Sequence, residues 1–406
     1  MYTQKCPAPS GKLTTSNGDT TTVVVSPFDV VSFPDGAGHF WVYMQYVQGL
    51  RRLGCEVYWL EQVQRGKHRD SGALATFHER MECFGMGGRA LLYTRGDGTR
   101  NAGADAPIEW LNGSDRSAWD VLRQADLLLN FHYGIDPRIL GGARRTALID
   151  IDPGLTQIWM SMGQIHVPPH DAYFTIGETV GTAAAPFPDG GLAWRHIRPP
   201  VCLELWPYVH DSSCESFTTV AGWWSGKWVK LRENGTEICV DNNKRVAFLE
   251  FADLPGLTTQ PLELALHLAD GDGEDRRLLE QRCWRVRHAR EVASTPQQYQ
   301  AYIQRSRGEW SCAKPFFVKL RNAWVSDRTV CYLASGKPVV VQHTGPSAYL
   351  PHGEGMFRFT TLDEAAAALD AVNSAYERHC RAAREIAAQY FDAKRVLAGL
   401  LQEALQ

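Results

Sequence analysis

Ser-Asp-Arg-Thr-Val-Cys-Tyr-Leu-Ala-Ser-Gly-Lys-Pro-Val-Val-Val-Gln-His-Thr-Gly, residues 326–345, is the stretch of this chain that decides its fold. It predicts a short helix that begins after Ser326, is closed by Gly336 and leads directly into a buried strand. Serine is a favoured N-cap, glycine is favoured just past a helix end, and Pro338 cannot continue the helix. A helix that passes at once into an apolar strand is typical of layered α/β proteins.

The start of this helix is also a predicted anion site. Free backbone N–H groups and the helix dipole attract phosphate, and an arginine adds a planar set of donors. Ser326, Asp327 and Arg328 occupy these positions. We expect them beside a phosphate group. Because a carboxylate repels phosphate, Asp327 is expected to turn to a hydroxyl group or to Arg328.

Length and composition limit the class of protein. A chain of 406 residues exceeds one ordinary core, so two domains are expected. Hydrophobic residues make up 44% and charged residues 21%, as in soluble globular proteins, and the net charge of −3 argues against duplex nucleic acid as a partner without excluding it. No apolar run is long enough to span a bilayer and residues 1–19 lack a signal core, so a cytoplasmic location is expected.

The ten cysteines lie singly. None forms Cys-x-x-Cys, and none stands at zinc-finger spacing from a histidine. This spacing argues against structural zinc and predicts a reduced protein.

The first half begins with a strand–turn–helix–strand unit. Residues 21–33 predict a strand, a turn follows at Gly36, Gly38 and His39, and residues 56–60 predict the next strand after an amphipathic helix. The turn lacks the third glycine of the dinucleotide fingerprint, so the support for NAD is weak.

Two further apolar runs, residues 125–130 and 146–152, are typical of parallel strands buried on both faces. In open α/β sheets ligands bind at the carboxyl ends of the strands. The polar groups expected at that edge are His39, Asn130, His132, Asp150 and Asp152. The alternative for each is structural, because an aspartate after a strand often only caps a helix or a turn.

The second half repeats the alternation of strands and helices. The predicted strands are residues 216–221, 246–251 and 284–287, and the predicted helices begin at residues 261, 296 and 361, with one long helix or two over residues 374–405. The fold class is therefore α/β, with two Rossmann-like domains facing a cleft and a C-terminal helix that crosses back to the first domain. The expected divisions are a terminal segment 1–20, domains 21–210 and 211–380, and the helix 381–406.

Five motifs occur together in the second half. They are Ser306-Arg307-Gly308-Glu309-Trp310-Ser311-x-x-Lys314, Ser326-Asp327-Arg328, Tyr332-Leu333-Ala334-x-Gly336-x-Pro338-Val339, Gln342-x-Thr344-Gly345 and Leu350-Pro351-x-Gly353-Glu354-Gly355. With them, residues 214–406 resemble bacterial GT-B glycosyltransferases of the spore-coat-maturation-like type. The first half resembles them more loosely.

The resemblance implies a nucleotide-sugar donor such as a UDP-sugar in the second domain, a small-molecule or polymer acceptor in the first, and no metal or other cofactor. The donor-binding residues implied are Ser326, Asp327, Arg328, Lys314, Glu309, Lys227, Thr344, Gly345, Gly353 and Glu354. The catalytic candidates are His39, Asp152 and Asp150, with His39 as the base if transfer inverts the anomeric configuration.

One departure from the related retaining enzymes concerns the ribose. Their Glu-x7-Glu motif places carboxylates at positions that are Ala323 and Cys331 in this chain. The candidates for ribose binding are then Asp327 and Glu354, and the stereochemistry stays open. Three other functions also stay open: a nucleotide-sugar epimerase, a sugar- or nucleotide-binding protein without turnover, and transfer onto a modified nucleobase of DNA.

Overall fold

The computed structural model describes residues 20–64, 71–96, 105–112, 115–224, 228–233 and 236–406. Within these residues the chain forms two largely parallel sheets, one from each half, and an antiparallel hairpin. None of the helices described is both long and apolar enough to cross a bilayer.

The first sheet has eight strands in the order β4-β3-β2-β1-β5-β6-β7-β8, and every neighbouring pair is parallel except β3 and β4. Its strands are β1 (Thr22–Ser26), β2 (Glu56–Gln62), β3 (Ala90–Arg95), β4 (Ile108–Trp110), β5 (Leu127–Asn130), β6 (Thr146–Asp150), β7 (Ala172–Thr175) and β8 (Trp194–His196). The helices between them are α1 (Ala37–Arg52), α2 (Ser71–Cys83), α3 (Asp115–Gln124), α4 (Pro137–Leu140) and α5 (Leu155–Ser161).

The second sheet has six parallel strands in the order β13-β12-β9-β14-β15-β16. They are β9 (Phe217–Gly222), β12 (Leu262–His267), β13 (Arg285–His288), β14 (Gly308–Ser311), β15 (Val339–Gln342) and β16 (Met356–Phe359), and the hairpin is β10 (Trp228–Glu233) with β11 (Thr236–Asp241). The helices are α6 (Lys244–Glu250), α7 (Gly273–Gln281), α8 (Ala289–Ala293), α9 (Pro296–Gln304), α10 (Pro315–Leu320), α11 (Asp327–Ala334), α12 (Leu362–Ser374), α13 (Tyr376–Ile386) and α14 (Ala393–Ala404).

The last helix returns to the first half, as the sequence predicts. Helix α14 lies against α1, and the contact is so close that a Cβ atom added at Gly49 would stand 2.4 Å from a methyl group of Leu397 and 2.9 Å from Cβ of Ala393. One continuous apolar cluster contains residues of β1, α1, α11 and α14. The two halves therefore share a core, while the predicted domain divisions at residues 20, 210 and 380 stay predictions.

Two of the predicted elements are wrong in type. Residues 246–251 belong to helix α6 and the turn after it, and residues 262–267 form strand β12, where a helix was predicted. In the first half the predicted strand 21–33 ends at Ser26, and the chain then turns into α1.

Candidate functional site

The carboxyl ends of the two sheets meet at a cleft. Lys314, which follows β14, reaches Asp152, which follows β6, with 3.5 Å between Nζ and Oδ1. Asn322 donates a hydrogen bond of 2.6 Å to the carbonyl oxygen of Pro153. Ligands of open parallel sheets bind at this edge of the strands, so the cleft is the candidate site.

Helix α11 begins at the cleft as the sequence predicts. Ser326 is its N-cap, and the hydroxyl group of Ser326 accepts a hydrogen bond of 3.3 Å from the backbone N–H of Arg328. The helix ends before Gly336, whose φ of +72° is left-handed and therefore favours glycine. The remaining free N–H groups of the first turn make this end an attractive place for an anion.

The guanidinium group of Arg328 is buried instead of free for phosphate. Its Nε donates to Oε1 of Glu309 at 2.7 Å, and its Nη1 donates to the carbonyl oxygen of Val220 at 2.9 Å. Ser311 also donates to Oε1 of Glu309, while Oε2 of Glu309 is buried without a hydrogen-bond partner among the described residues. The sequence predicts that the guanidinium group of Arg328 donates hydrogen bonds to phosphate. This geometry does not favour that role. Arg328 and Glu309 form a buried ion pair beneath the helix start.

Lys244 is a basic residue near this ion pair that no sequence motif indicates. It is the first residue of α6, and its pKa is held well below the usual range by burial and then by the like charges of Arg328 and Lys314. Three basic side chains, those of Lys244, Lys314 and Arg328, are therefore close enough to interact electrostatically. Lys227, the lysine predicted in this region, lies outside the described residues.

Asp327 is directed toward the first half. Burial raises its pKa to about 7, and the carboxylate of Asp152 adds to the increase. Asp327 in turn contributes to the raised pKa values of Tyr43 and Tyr46 on α1, mainly set by burial. Asp327 therefore interacts both with Arg328 and with groups of the first half.

The two positions at which the related retaining enzymes carry carboxylates are buried in this chain. Cys331 is buried, and its sulfur accepts a weak contact of 3.8 Å from Nε2 of Gln45. Ala323 is buried with a φ of +55°, and its N–H donates to the carbonyl oxygen of Thr344. Asp327 lies four residues before Cys331, on the same face of α11. Helix α11 therefore carries a carboxylate at Asp327, one turn before position 331.

His39 lies in the first turn of α1 and lines a cavity of about 250 Å³ together with Tyr43 and Asp152. Its Nε2 is 2.7 Å from the carbonyl oxygen of Phe28. Since a carbonyl oxygen can only accept, Nε2 carries the proton and Nδ1 keeps the lone pair. Burial lowers the pKa of His39, so the neutral ring persists to lower pH than usual.

Asp150 and Asp152 differ in what they can do. Asp150 is buried, and its two oxygens accept hydrogen bonds from the side chains of Thr156, Gln157 and Thr175 at 2.8 to 2.9 Å. Burial raises its pKa to about 6. Asp150 is therefore bound on all sides and fits a structural role instead of the predicted catalytic one. Asp152 is 46% exposed and carries the contact across the cleft.

Asn130 and His132 also end at the first sheet's carboxyl edge but bond to their neighbours. Asn130 donates to the carbonyl oxygen of His132 at 2.7 Å, and its Nδ2 is 3.0 Å from Nε2 of His170. Nε2 of His132 is 3.4 Å from the hydroxyl group of Ser26. These hydrogen bonds hold the side chains of Asn130 and His132 in place at this edge of the sheet.

The glycine-containing loops divide between the two ends of the second sheet. Thr344 and Gly345 follow β15 at the cleft; the hydroxyl group of Thr344 donates to the carbonyl oxygen of Trp324 at 2.7 Å. Gly353 and Glu354 precede β16, and in a parallel sheet the residues before a strand lie at the edge opposite the residues after it. Glu354 is exposed and pairs with Arg378 at 3.1 Å. Its predicted donor-binding role, and that of Gly353, is therefore not supported.

Replacement of Asp327 by asparagine should raise the melting temperature by a few degrees at pH 8. The folded-state pKa of about 7 exceeds the usual 3.8, so the folded state holds an additional proton between these values, and stability is lost as the pH rises through 7. The neutral amide escapes this loss. Thermal melts should show a larger gain at pH 8 than at pH 5, because the stability is lost progressively between the unfolded pKa of 3.8 and the folded pKa of about 7. An equal change at both pH values would mean that the carboxylate is not the cause.

Within the described residues, no three or more histidine, cysteine, aspartate or glutamate side chains are grouped to hold a metal ion. The expectation of a metal-free reaction stays a prediction.

Comparisons with known proteins agree on the architecture. No protein-family model and no curated protein matches the chain. Among solved structures, it is similar to an α-glucosyltransferase in complex with UDP and a 13-mer DNA containing an HMU base, with a TM-score of 0.56, 9% identity, and 95% of this chain and 100% of that chain covered. It is also similar to the sucrose-phosphate synthase of Thermosynechococcus elongatus, with a TM-score of 0.54, 10% identity, and 95% and 98% covered.

A third similar structure is Anabaena HepE in complex with UDP-glucose, with a TM-score of 0.54, 14% identity, and 94% of this chain and 99% of that chain covered. Identities this low show the fold alone. The predicted fold class is confirmed: the chain has the two-sheet GT-B fold.

Proposed function

We propose that the protein is a glycosyltransferase that moves a sugar from a nucleotide-sugar donor, a UDP-sugar in the first instance, to a hydroxyl group of an acceptor. The observation that carries the proposal is the capped start of α11 at the cleft, with Lys314 beside Asp152 across the cleft and Lys244 close enough to Arg328 and Lys314 for their charges to interact. Across the cleft stand His39 and Asp152. Cations and a helix N-terminus are the groups that stabilise a leaving diphosphate where no metal does so.

In this proposal the second half stabilises the leaving diphosphate and the first half activates the acceptor. Lys244 and Lys314 balance the charge that develops on the diphosphate, while the buried Arg328 adds its field from below. For an inverting transfer, Nδ1 of His39 takes the proton of the acceptor hydroxyl group. The spore-coat-maturation-like family and the cytoplasmic location belong to the proposal as well, as do the predicted donor contacts of Ser326, Thr344 and Gly345.

Replacement of Lys244 by alanine is expected to weaken UDP binding roughly 10- to 100-fold, the loss of one hydrogen bond to a charged group. Uridine, which lacks phosphate, should bind nearly as before. Because the pKa of Lys244 is lowered in the free protein, UDP binding should also take up protons, and this uptake should shrink in the variant. Calorimetry in buffers of different ionisation enthalpy measures both quantities.

The matched control is Lys319→Ala, since Lys319 is exposed on α10. It should leave UDP binding unchanged. In the unmodified protein, UDP at 100 times its dissociation constant should stabilise the fold by about 2.7 kcal/mol. Equal affinities for UDP and uridine would contradict a diphosphate site.

A further inference from the structure

Glu178 links the two halves of the chain at the cleft. It follows β7 of the first half, and its two carboxylate oxygens accept hydrogen bonds of 2.6 Å, one from the hydroxyl group of Ser347 and one from the backbone N–H of Ala348. Ser347 and Ala348 belong to the loop 345–350, which follows β15 of the second half. Hydrogen bonds to a carboxylate are roughly twice as strong as those between neutral groups, so this contact holds the loop firmly.

The conformation of this loop depends on the contact with Glu178. The hydroxyl oxygen of Ser347 accepts hydrogen bonds from the backbone N–H of Tyr349 at 3.2 Å and of Leu350 at 3.0 Å, while its proton is donated to Glu178. A second residue of the first half, Arg198, stands over the ring of Tyr349, with 5.3 Å between Cζ and the ring centroid. Since the loop forms no helix or strand, side chains of the first half hold it in place.

The beginning of the loop packs on the segment that leads into α11. A Cβ atom added at Gly345 would stand 2.4 Å from a backbone carbonyl oxygen of that segment. The residue before it, Thr344, donates its hydroxyl proton to the carbonyl oxygen of Trp324 at 2.7 Å, and Ser326, two residues after Trp324, is the N-cap of α11. Contacts therefore run from Glu178 through the loop to the helix end at which the diphosphate is proposed to bind.

We propose that Glu178 is a positioning residue for donor binding. By holding the loop 345–350, it keeps Thr344, Gly345 and the start of α11 in the arrangement that receives the diphosphate, before the donor arrives. A loop that is already fixed in its bound conformation loses less entropy on binding, so the affinity for the donor rises. This inference rests on the proposed function and adds a contribution of the first half to donor affinity.

The charge of Glu178 by itself acts in the opposite direction. Burial lowers the pKa values of Arg198 and Arg358, and the carboxylate of Glu178 counteracts that shift, so Glu178 is close enough to both arginines for their charges to interact. Removal of the carboxylate makes these surroundings more positive and by charge alone strengthens the binding of a diphosphate. Loss of the support for the loop weakens it. The two effects differ in sign, and one measurement of affinity distinguishes them.

The test combines the affinity for UDP, measured by calorimetry, with the kinetic constants of UDP release from UDP-glucose. Glu178→Ala should weaken UDP binding about tenfold and raise the KM for UDP-glucose by a similar factor, while kcat changes less than about twofold. A merely structural role would lower the melting temperature but leave the affinity of the folded protein for UDP unchanged. The matched control is Glu403→Ala, which removes an exposed carboxylate that pairs with Arg195 of β8 at 3.5 Å and should leave UDP binding unchanged.

Ser347→Ala tests the same contact without a change of charge. It removes the hydroxyl group that bonds to Glu178 and should weaken UDP binding about tenfold, while Ser347→Thr, which keeps the hydroxyl group, should restore it. Because both alanine substitutions break one contact, the double variant should lose less affinity than the sum of the two losses. Ser347→Ala also keeps the test decisive if Glu178→Ala does not fold.

The proposal is overturned if either alanine variant folds and binds UDP at least as tightly as the unmodified protein. Fully additive losses in the double variant would also contradict it, because Glu178 and Ser347 would then act separately. If the unmodified protein does not bind UDP at all, the proposed function itself fails, and this inference is rejected with it.

Discussion

Replacement of His39 by alanine is expected to lower turnover by roughly 10²- to 10⁴-fold if the transfer inverts the anomeric configuration, while UDP binds nearly as before. The hydrogen bond from Nε2 to Phe28 leaves Nδ1 as the only ring atom that can accept a proton. Because burial lowers the pKa of His39, the acidic limb of the kcat/KM profile should fall below pH 6.5. That limb should be absent in the variant.

The control for this experiment is His39→Gln. A glutamine amide can still donate toward the carbonyl oxygen of Phe28 but cannot act as a base. The glutamine variant should therefore be as slow as the alanine variant while its stability stays closer to that of the unmodified protein. Near-normal turnover in both variants, with a product shown by NMR to retain the anomeric configuration, would mean that His39 has a packing role and is not the base.

Replacement of Glu309 by alanine is expected to cost about 3–5 kcal/mol of the free energy of unfolding, the usual cost of breaking a buried ion pair by removing one partner. Glu309 is fully buried, Arg328 is 7% exposed, and their atoms lie 2.7 Å apart. Among the described residues, the substitution leaves the buried guanidinium group with the carbonyl oxygen of Val220 as its acceptor. Urea denaturation measures the loss.

The double variant Glu309→Leu with Arg328→Met separates stability from binding. Replacing both charges with apolar groups of similar size is often neutral or stabilising, so the double variant should be far more stable than Glu309→Ala. It should still bind UDP more weakly, because one of the three cations near the helix start is gone. A loss below 1 kcal/mol in Glu309→Ala would mean that the pair contributes no more than a surface salt bridge.

The parts of the fold that were predictable carry local signals. Helix α11 has a serine cap, a glycine at its end and a proline two residues later, and these choices are made by backbone chemistry within ten residues. The capping box at Thr361 and Glu364 fixes the start of α12 in the same way. Such elements need no knowledge of the rest of the chain.

The two wrong elements lacked such signals. Residues 246–251 are apolar and β-prone, and a short run of this kind does not distinguish a strand from a buried helix. The sequence of β12 is rich in leucine, alanine and glutamate, which favour helices, but Leu262, Leu264 and Leu266 recur every second residue and bury in the sheet. Packing in the sheet outweighed helix propensity there.

The candidate site was partly predictable for the same reason. Residues around the start of α11 could be placed because the helix itself could be placed. The apolar run after Lys244 predicts a strand, so the position of Lys244 in the first turn of a helix does not follow from the sequence pattern. The motif around Glu354 carries no information about strand direction, and the structure places Glu354 before β16, at the sheet edge opposite the residues that follow β15. The ion pair of Arg328 joins residues 19 positions apart and needs the folded sheet.

The position of α14 determines when the apolar core of the first half can be completed during synthesis. Ala393 and Leu397 fill the space beside Gly49, so the helix next to the first strand receives its covering residues from a segment that is translated after both sheets. The first half, although synthesised first, can complete its apolar core only after the second half has been translated. Slow translation or premature truncation beyond residue 380 should therefore leave α1 exposed. The nascent chain would then carry an uncovered apolar surface on its first half, which favours aggregation.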